Sequence, residues 1–421
     1  MIENPGRRVL LLAATTGYQI REFRNAAERA GIRLALATDR CHVLEDPWGD
    51  DAIPIRLEQA EESAQKIVES AREHPIGGVV AVGDPTTRIG ALASSALGLP
   101  YHPVEAVEAC RNKFLARERW RAAGLPVPWY ARFAIHQDAA RAAGTVPFPC
   151  VLKPLGLAGS RGVIRADDTS QFEAAFVRIR ALLETADVRK LREEAGCWIQ
   201  VESYIPGCEV AVEGLLTRGR LRILALFDKP DPLEGPYFEE TIYVTPSRLA
   251  PEAQATVIEA TRRAAAAVGL CHGPLHGELR LNDDGAWMLE MAARPIGGLC
   301  ARALRFGSGM PLEELILRHA AGEAVEEIPR EGAASGVMMI PIPHAGVLEA
   351  VKNVEEAAQT PGVEGVEITA KPRQQLVPLP EGSSYLGFIF ARGESPEIVE
   401  EALRRAHGKL RFVISPSLTV V

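Results

Sequence analysis

Apolar and polar positions alternate in two rhythms along this chain, and the change between them marks its organisation. Near the start the apolar residues come in short unbroken blocks, at residues 9–13, 33–38 and 77–83. Blocks without alternation predict strands buried on both faces. Between them, Ile20–Ala30 and residues 88–97 carry apolar positions at helical spacing, the first stopping at Gly31. Strand and helix in turn predict a parallel, doubly wound sheet. The first turn, Ala14-Thr15-Thr16-Gly17-Tyr18, lacks a GxGxxG pattern, so it is read as scaffold and not as a dinucleotide site.

Beyond residue 105 the pattern changes. A basic helix is predicted over 110–123, then a break at Gly124-Leu125-Pro126-Val127-Pro128, a strand over 150–153 and an amphipathic helix over 172–186. Residues 197–227 alternate with period two and turn at Arg218-Gly219, which reads as antiparallel strands. An alanine-rich helix over 252–268 precedes a hairpin, and a helix over 311–321 precedes a polar linker, 322–332. The remainder predicts strands near 336–342, 386–391 and 413–414, with helical stretches near 347–351 and 396–407. The expected class is therefore mixed α/β and α+β in several domains, divided as 1–105, 106–325 and 330–421.

Composition narrows the function classes. The 421 residues are 47% hydrophobic and 24% charged, as in globular proteins, with length for more than one core. A net charge of −8 argues against general nucleic-acid binding, which needs a basic footprint. No apolar run reaches the length of a membrane span. Seven cysteines without CxxC spacing sit in apolar segments, which predicts buried reduced thiols and a cytoplasmic protein.

The stretch GPLHGELRLNDDGAWMLEMAARPIGG, residues 273–298, holds the strongest chemical signal. A three-residue turn at Asp283-Asp284-Gly285 would set Asn282 opposite Ala286, Arg280 opposite Met288 and Glu278 opposite Glu290. Leu279, Leu281, Trp287 and Leu289 would then share a core face, with Glu278, Arg280, Met288 and Glu290 on the other. Opposed carboxylates repel unless a cation joins them, and Mg²⁺ is commonly held by one or two carboxylates plus phosphates. The alternative is a solvated face whose acids pair with Arg280 or Arg294.

Two further stretches carry polar chemistry. Lys153 ends an apolar strand and leads into Pro154–Val163, with Gly156, Gly159, Ser160 and Gly162. Such a loop can bring backbone N–H groups to phosphate oxygens, and a lysine in an apolar strand needs a counter-charge. It is not a P-loop, because GxxxxGK[ST] is absent. Glu202-Ser203-Tyr204-Ile205-Pro206-Gly207-Cys208-Glu209 joins two strand-like runs through a Pro-Gly turn; its acids suit an adenine amino group and ribose hydroxyls, or simply a solvated sheet edge. A proline-rich segment of mixed charge, 227–240, and two histidines, His272 and His276, are read first as a surface loop and as sheet-edge residues.

In order along the chain, Lys113, Lys153 with its glycine loop, Glu202…Glu209, Glu278…Glu290 and Arg294 resemble the ATP-grasp superfamily. The resemblance spans roughly 106–320, and the C-terminal segment resembles that of the L-amino acid ligase branch. It implies an N-terminal Rossmann-like domain, an ATP-grasp core of two α+β subdomains and a C-terminal α+β domain. By the same resemblance, Lys113 and Lys153 contact nucleotide phosphates beneath Gly159, Ser160 and Gly162. Glu202, Tyr204, Ile205 and Glu209 hold adenine and ribose, while Glu278 and Glu290 bind Mg²⁺, with Mn²⁺ as a substitute. Arg294, with Glu290, is then catalytic. The implied reaction consumes ATP, activates a small-molecule carboxylate as an acyl phosphate and joins it to an amine, without nucleic acid or membrane, in an enzyme of a type often homodimeric. One departure is plain: Glu290-Met291-Ala292 stands where many relatives have Glu-x-Asn, which favours amino acid ligases over biotin carboxylase. A biotin carboxylase-like or glycinamide ribonucleotide synthetase-like enzyme is the near alternative; a nucleotide-binding module without chemistry is the distant one.

Overall fold

The computed structural model describes residues 7–14, 19–39, 51–190 and 194–416. In the N-terminal region the apolar blocks form a four-stranded parallel sheet. Its order is Ala52–Pro54, Arg33–Thr38, Arg8–Ala13 and Gly78–Val82. The strand Arg8–Ala13 is buried throughout, as its unbroken apolar run requires. Helix Ile20–Ala30 ends at Gly31 in the left-handed conformation, as its sequence predicts. Residues 15–18 of the first turn, and Cys41, lie outside the described residues.

Two antiparallel sheets follow. The smaller has the order Tyr130–Ala134, Trp198–Ser203, Cys150–Pro154, Ile164–Ala166. Helix Thr169–Leu183 covers it, with Phe172, Phe176 and Ile179 packed into a core of its own. Asp168 caps that helix by accepting from the Gln171 N–H.

The larger sheet has eight strands: Gly285–Ala292, Gly273–Asn282, Cys208–Thr217, Arg220–Asp228, Ile242–Thr245, Ala334–Ile340, Gly387–Gly393 and Val363–Ile368. All its pairings are antiparallel. It thus runs continuously from the acidic hairpin into the C-terminal segment through the pairing of Ile242–Thr245 with Ala334–Ile340. Helix Leu312–Ala320 returns the chain to the first sheet, against Gly78. A Cβ at that glycine would lie 2.0 Å from the Ala320 carbonyl oxygen, so this contact admits no side chain.

Three expectations fail for identifiable reasons. The single helix over 110–123 is two, Val104–Arg111 and Lys113–Ala122, broken at Asn112. The Asn112 side chain accepts from the N–H groups of Phe114 and Leu115, so it starts a new helix and leaves Lys113 in the first turn. The stretch 347–351 is strand, within Gly346–Lys352, because it pairs with Arg411–Ser415. Among the described residues no disulfide forms, yet Cys197 and Cys208 are exposed instead of buried.

Candidate active site

The acidic hairpin reaches its expected pairing by a different route. Asn282 pairs with Gly285, leaving a two-residue turn, Asp283-Asp284, in which the Asp284 N–H donates to Asn282 Oδ1 at 3.0 Å. The shorter turn shifts the register by one, setting Arg280 opposite Trp287 and Leu279 opposite Met288. A bulge at Leu289 then restores Glu278 opposite Glu290. Met288, not Trp287, therefore enters the core, 2% exposed. Trp287 stays half-buried on the polar face, where its indole N–H donates to Asn282 Oδ1 at 3.1 Å.

The bulge places Leu289 and Glu290 together on the wall of one large cavity, about 1430 Å³ including its open mouth. That cavity brings together Lys113, Lys153, Gly159, Ser160, Glu202, Tyr204, Ile205, Glu209, Glu278, Glu290 and Arg294, which are far apart in sequence. Gly162 is the expected residue outside the lining. Its N–H donates to the Pro380 carbonyl at 2.8 Å, and a Cβ there would sit 2.6 Å from Pro154 Cγ. Its amide is thus spent on the C-terminal segment and not offered to phosphate. Gly159 and Ser160 keep left-handed φ values of +66° and +55° at the cavity edge.

Glu202 departs from its expected role. It is 2% exposed, and its carboxylate accepts from Lys153 Nζ at 2.6 Å and from Arg117 at 2.7 and 3.1 Å. Burial alone would raise its pKa, but Arg117 and Lys153 outweigh burial and hold it well below the usual range. The counter-charge of Lys153 is therefore this glutamate. Burial lowers the Lys153 pKa, and Glu202 offsets part of the shift. Arg117, absent from the sequence-based list, also donates to the carbonyls of Met288 and Leu289, tying the smaller sheet to the acidic hairpin. Lys113 lines the cavity, donating to the Leu157 carbonyl at 2.7 Å and lying 3.2 Å from Glu290.

A second cluster centres on Lys229, whose ammonium lies 2.8 Å from Glu209, 3.5 Å from Glu278 and in contact with Glu240. Burial opposes its charge, but the three acids win and its pKa is raised. Glu240 is raised to about 7, by burial first and then by Glu278. Arg280 also holds Glu209, at 3.0 Å, and donates to the Ile205 carbonyl. Tyr204 lies over the guanidinium of Arg165, at 4.2 Å, and near that of Arg280.

His276 faces the cavity, whereas His272 stacks on His319 with ring centres 4.3 Å apart. His276 Nδ1 is 3.2 Å from the fully buried Glu213, and its Nε2 is 3.4 Å from Glu278. Burial would lower its pKa, but those two carboxylates hold it up at about 9, an imidazolium at neutral pH. Arg294 donates through Nε and Nη2 to Asp84 at 3.0 and 2.8 Å, and its third contact is the Pro295 carbonyl. Asp84 lies at the start of helix Asp84–Leu97, in the N-terminal domain.

The donor set suits a divalent cation with phosphate. Glu278 and Glu290 are cross-strand neighbours open to the cavity, flanked by Lys113, Arg294 and His276. Among the described residues, one group of three acids, Glu209, Glu240 and Glu278, brings carboxylate oxygens within 4.8 Å of one another. The Lys229 ammonium already sits among these three, so the Glu278–Glu290 pair is the more accessible seat.

A cavity between two antiparallel sheets, with lysines at one wall and paired acids at the other, defines an ATP-grasp architecture. Profiles of three domains match in order: an ATP-grasp N-terminal domain at 24–101, an ATP-grasp domain at 146–303 and L-amino acid ligase C-terminal domain 2 at 338–415. The chain carries ATP-grasp domains and a C-terminal domain of the L-amino acid ligase type. Its structure is similar to that of an L-amino acid ligase from Bacillus licheniformis, with TM-score 0.82, 26% identity, and 97% and 99% of the two chains covered. It is 30% identical over 241 residues to alanine–anticapsin ligase of Bacillus subtilis (strain 168), covering 54% of this chain and 50% of the relative. It is 28% identical over 310 residues to carnosine synthase 1 of Homo sapiens, covering 70% of this chain and 37% of that protein. The chain thus spans half or less of the length of these two relatives. Among the described residues no helix is long and apolar enough to cross a membrane.

Proposed function

We propose that this protein is an ADP-forming, Mg²⁺-dependent carboxylate–amine ligase, acting on an amino acid carboxylate and a second amine. The observation that carries the reading is the convergence of Lys113, Lys153, Glu278, Glu290 and Arg294 on one cavity. Phosphoryl transfer depends mainly on positioning and charge neutralisation, which such a set supplies. Lys153, pinned by Glu202, and Lys113, pinned by Leu157, hold their ammonium groups where nucleotide phosphates would lie. Val151, Tyr204, Ile205 and Leu289 line the same cavity and offer apolar surface to adenine. Mg²⁺, or Mn²⁺ on the same oxygen donors, would be held by Glu278 and Glu290 and would neutralise phosphate charge.

Arg294, fixed by Asp84, then has a defined task. Its planar, permanently charged group binds the carboxylate that attacks the terminal phosphoryl group, and it stabilises charge on the acyl phosphate. The amine adds to the acyl carbon, phosphate leaves, and the new bond is an amide. Imidazolium His276, backed by Glu213, holds Glu278 in place. A cytoplasmic homodimer is part of the same reading.

The test is phosphate release from ATP and Mg²⁺ over pairs of amino acids, with products weighed by mass spectrometry. Amide product with stoichiometric ADP supports the ligase. Carboxylation of an acceptor by bicarbonate would favour the biotin carboxylase-like alternative, and ATP binding without ADP release would leave a nucleotide-binding module.

A further inference from the structure

The cavity has a second end that the nucleotide and metal assignments do not use. Tyr243, Gly298, Cys300, Met339, Tyr385 and Phe388 line it. Met339 and Phe388 come from neighbouring strands supplied by the C-terminal segment, and Tyr385 stands just before the second of them. The Tyr385 and Phe388 rings lie 6.3 Å apart, tilted by 57°. Gly298 has φ +60°, and a Cβ there would meet the Phe388 ring edge at 2.9 Å. Any side chain at 298 would therefore collide with Phe388, so glycine lets the backbone pack directly against that ring.

Polar groups stand on the other side of this chamber. Glu240 also lines the cavity and shares the Lys229 ammonium with Glu278, and that ammonium lies 5.1 Å from the Tyr243 ring centre, so Glu240 stands near both the apolar end and the acidic hairpin. Arg294 approaches Gly297, one residue from Gly298. A zwitterion held between Arg294 and Glu240 would direct its side chain at the aromatic wall.

We propose that this chamber is the side-chain subsite for an amino acid bearing a large apolar side chain, of the leucine, methionine or phenylalanine kind, whose carboxylate lies on Arg294. This rests on the ligase reading and goes beyond it by naming the substrate class. A charged side chain would lose its hydration against aromatic and thioether groups that return no hydrogen bond of comparable strength. A methyl group would leave most of the wall uncovered.

The test is calorimetric titration of the full chain, saturated with Mg²⁺ and an imido analogue of ATP, with single L-amino acids. Leucine or phenylalanine binds at least about 10-fold more tightly than alanine, and aspartate and lysine give no heat. Tyr385→Ala weakens phenylalanine by about 10-fold or more while the nucleotide Kd stays within about 2-fold, and Tyr385→Phe restores binding. Equal binding of alanine and phenylalanine, preference for a charged side chain, no heat with any amino acid, or indifference to Tyr385→Ala would overturn the subsite. The ligase reading fails separately: selective binding of phenylalanine without phosphate release with any amine removes the ligase and keeps the subsite. Release with small or charged amino acids alone keeps the ligase and removes the subsite.

Discussion

Asp84 holds Arg294 across 210 residues of sequence, with both of its contacts to that arginine at 3.0 Å or less. The pair joins the N-terminal domain to the end of the acidic hairpin. Burial would raise the Asp84 pKa, but Arg294 lowers it further, so the carboxylate stays charged. Removing it leaves a guanidinium that is 13% exposed without its main partner. Asp84→Asn is expected to lower kcat/KM by about 10²-fold, with the KM for ATP little changed, since the proposed task of Arg294 is on the carboxylate and not on the nucleotide base. Arg294→Lys should be nearly as damaging, because a point charge replaces a planar fork. Steady-state phosphate release with ATP and amino acid varied in turn separates these effects; a change confined to the KM for ATP would refute the assignment.

Glu202 makes a prediction about stability as well as activity. It is the common anion of Arg117 and Lys153, all three nearly or fully buried. Glu202→Ala leaves two cations without their partner and should cost about 3–5 kcal/mol in chemical denaturation. Lys153→Ala leaves Glu202 still paired with Arg117, so its stability loss should be smaller and its main effect a higher KM for ATP. Equal destabilisation by both substitutions would contradict the shared-anion arrangement.

How much of this was legible beforehand depends on the range of each contact. The parallel strands and the glycine stop of helix Ile20–Ala30 follow from local periodicity and are found where expected, whereas Glu278 faces Glu290 only because a two-residue turn and a bulge offset each other. Neither the two-residue turn nor the bulge at Leu289 leaves a trace in composition, so periodicity alone assigns Trp287 to the core, while between turn and bulge it is Met288 that enters it. Asp84, Arg117 and Lys229 were missed because each finds its partner through the fold, from 20 to 210 residues away. Lys229 did carry a signal: it directly follows an apolar strand, Arg220–Asp228, as Lys153 ends another. The glycine loop reads locally as a cradle for phosphate, whereas part of its anchoring comes from the C-terminal segment.

That anchoring leads to a third prediction. Besides the Gly162–Pro380 bond, Arg161 donates to the Glu381 carbonyl at 2.8 Å and Arg178 pairs with the Glu381 carboxylate and Tyr237. The Arg178–Glu381 pair is partly exposed, so Glu381→Ala should change global stability by less than about 1 kcal/mol. The loop should nonetheless open more often. Expected results are faster limited proteolysis within residues 156–163 and a higher KM for ATP; unchanged cleavage would mean that the loop is held from within.

His102 predicts the acid limb of stability. It is 1% exposed, its Nδ1 accepts from the N–H groups of Cys271 and His272, and its Nε2 faces the Pro274 carbonyl. The ring is therefore neutral with its proton on Nε2, and a second proton would confront two donors. Burial lowers its pKa from 6.5 to about 4, with His272 and His319 adding to the shift. A histidine with a depressed folded-state value contributes stability that is complete above 6.5 and lost as pH falls toward 4. The loss should reach roughly 3 kcal/mol. His102→Gln, which can keep one donor and one acceptor, should flatten the dependence of denaturation midpoint on pH between those values.

The metal seat can be decided between two acid sets that share Glu278. If the cation lies between Glu278 and Glu290, it joins two strands and leaves Lys229 its contacts to Glu209 and Glu240. If it lies among Glu209, Glu240 and Glu278, it must displace the Lys229 ammonium, which those acids already neutralise. Displacement leaves a buried lysine uncompensated, a costly arrangement, so the first seat is favoured. Mn²⁺ binding to the nucleotide complex, followed by electron paramagnetic resonance, distinguishes them. Glu278→Gln should weaken binding under either arrangement. Glu290→Gln should weaken it by about 10-fold or more, whereas Glu240→Gln should leave it within about 3-fold, because only the former removes a direct oxygen ligand. The reverse order would place the cation on Lys229's acids and make that lysine a group that moves when nucleotide binds.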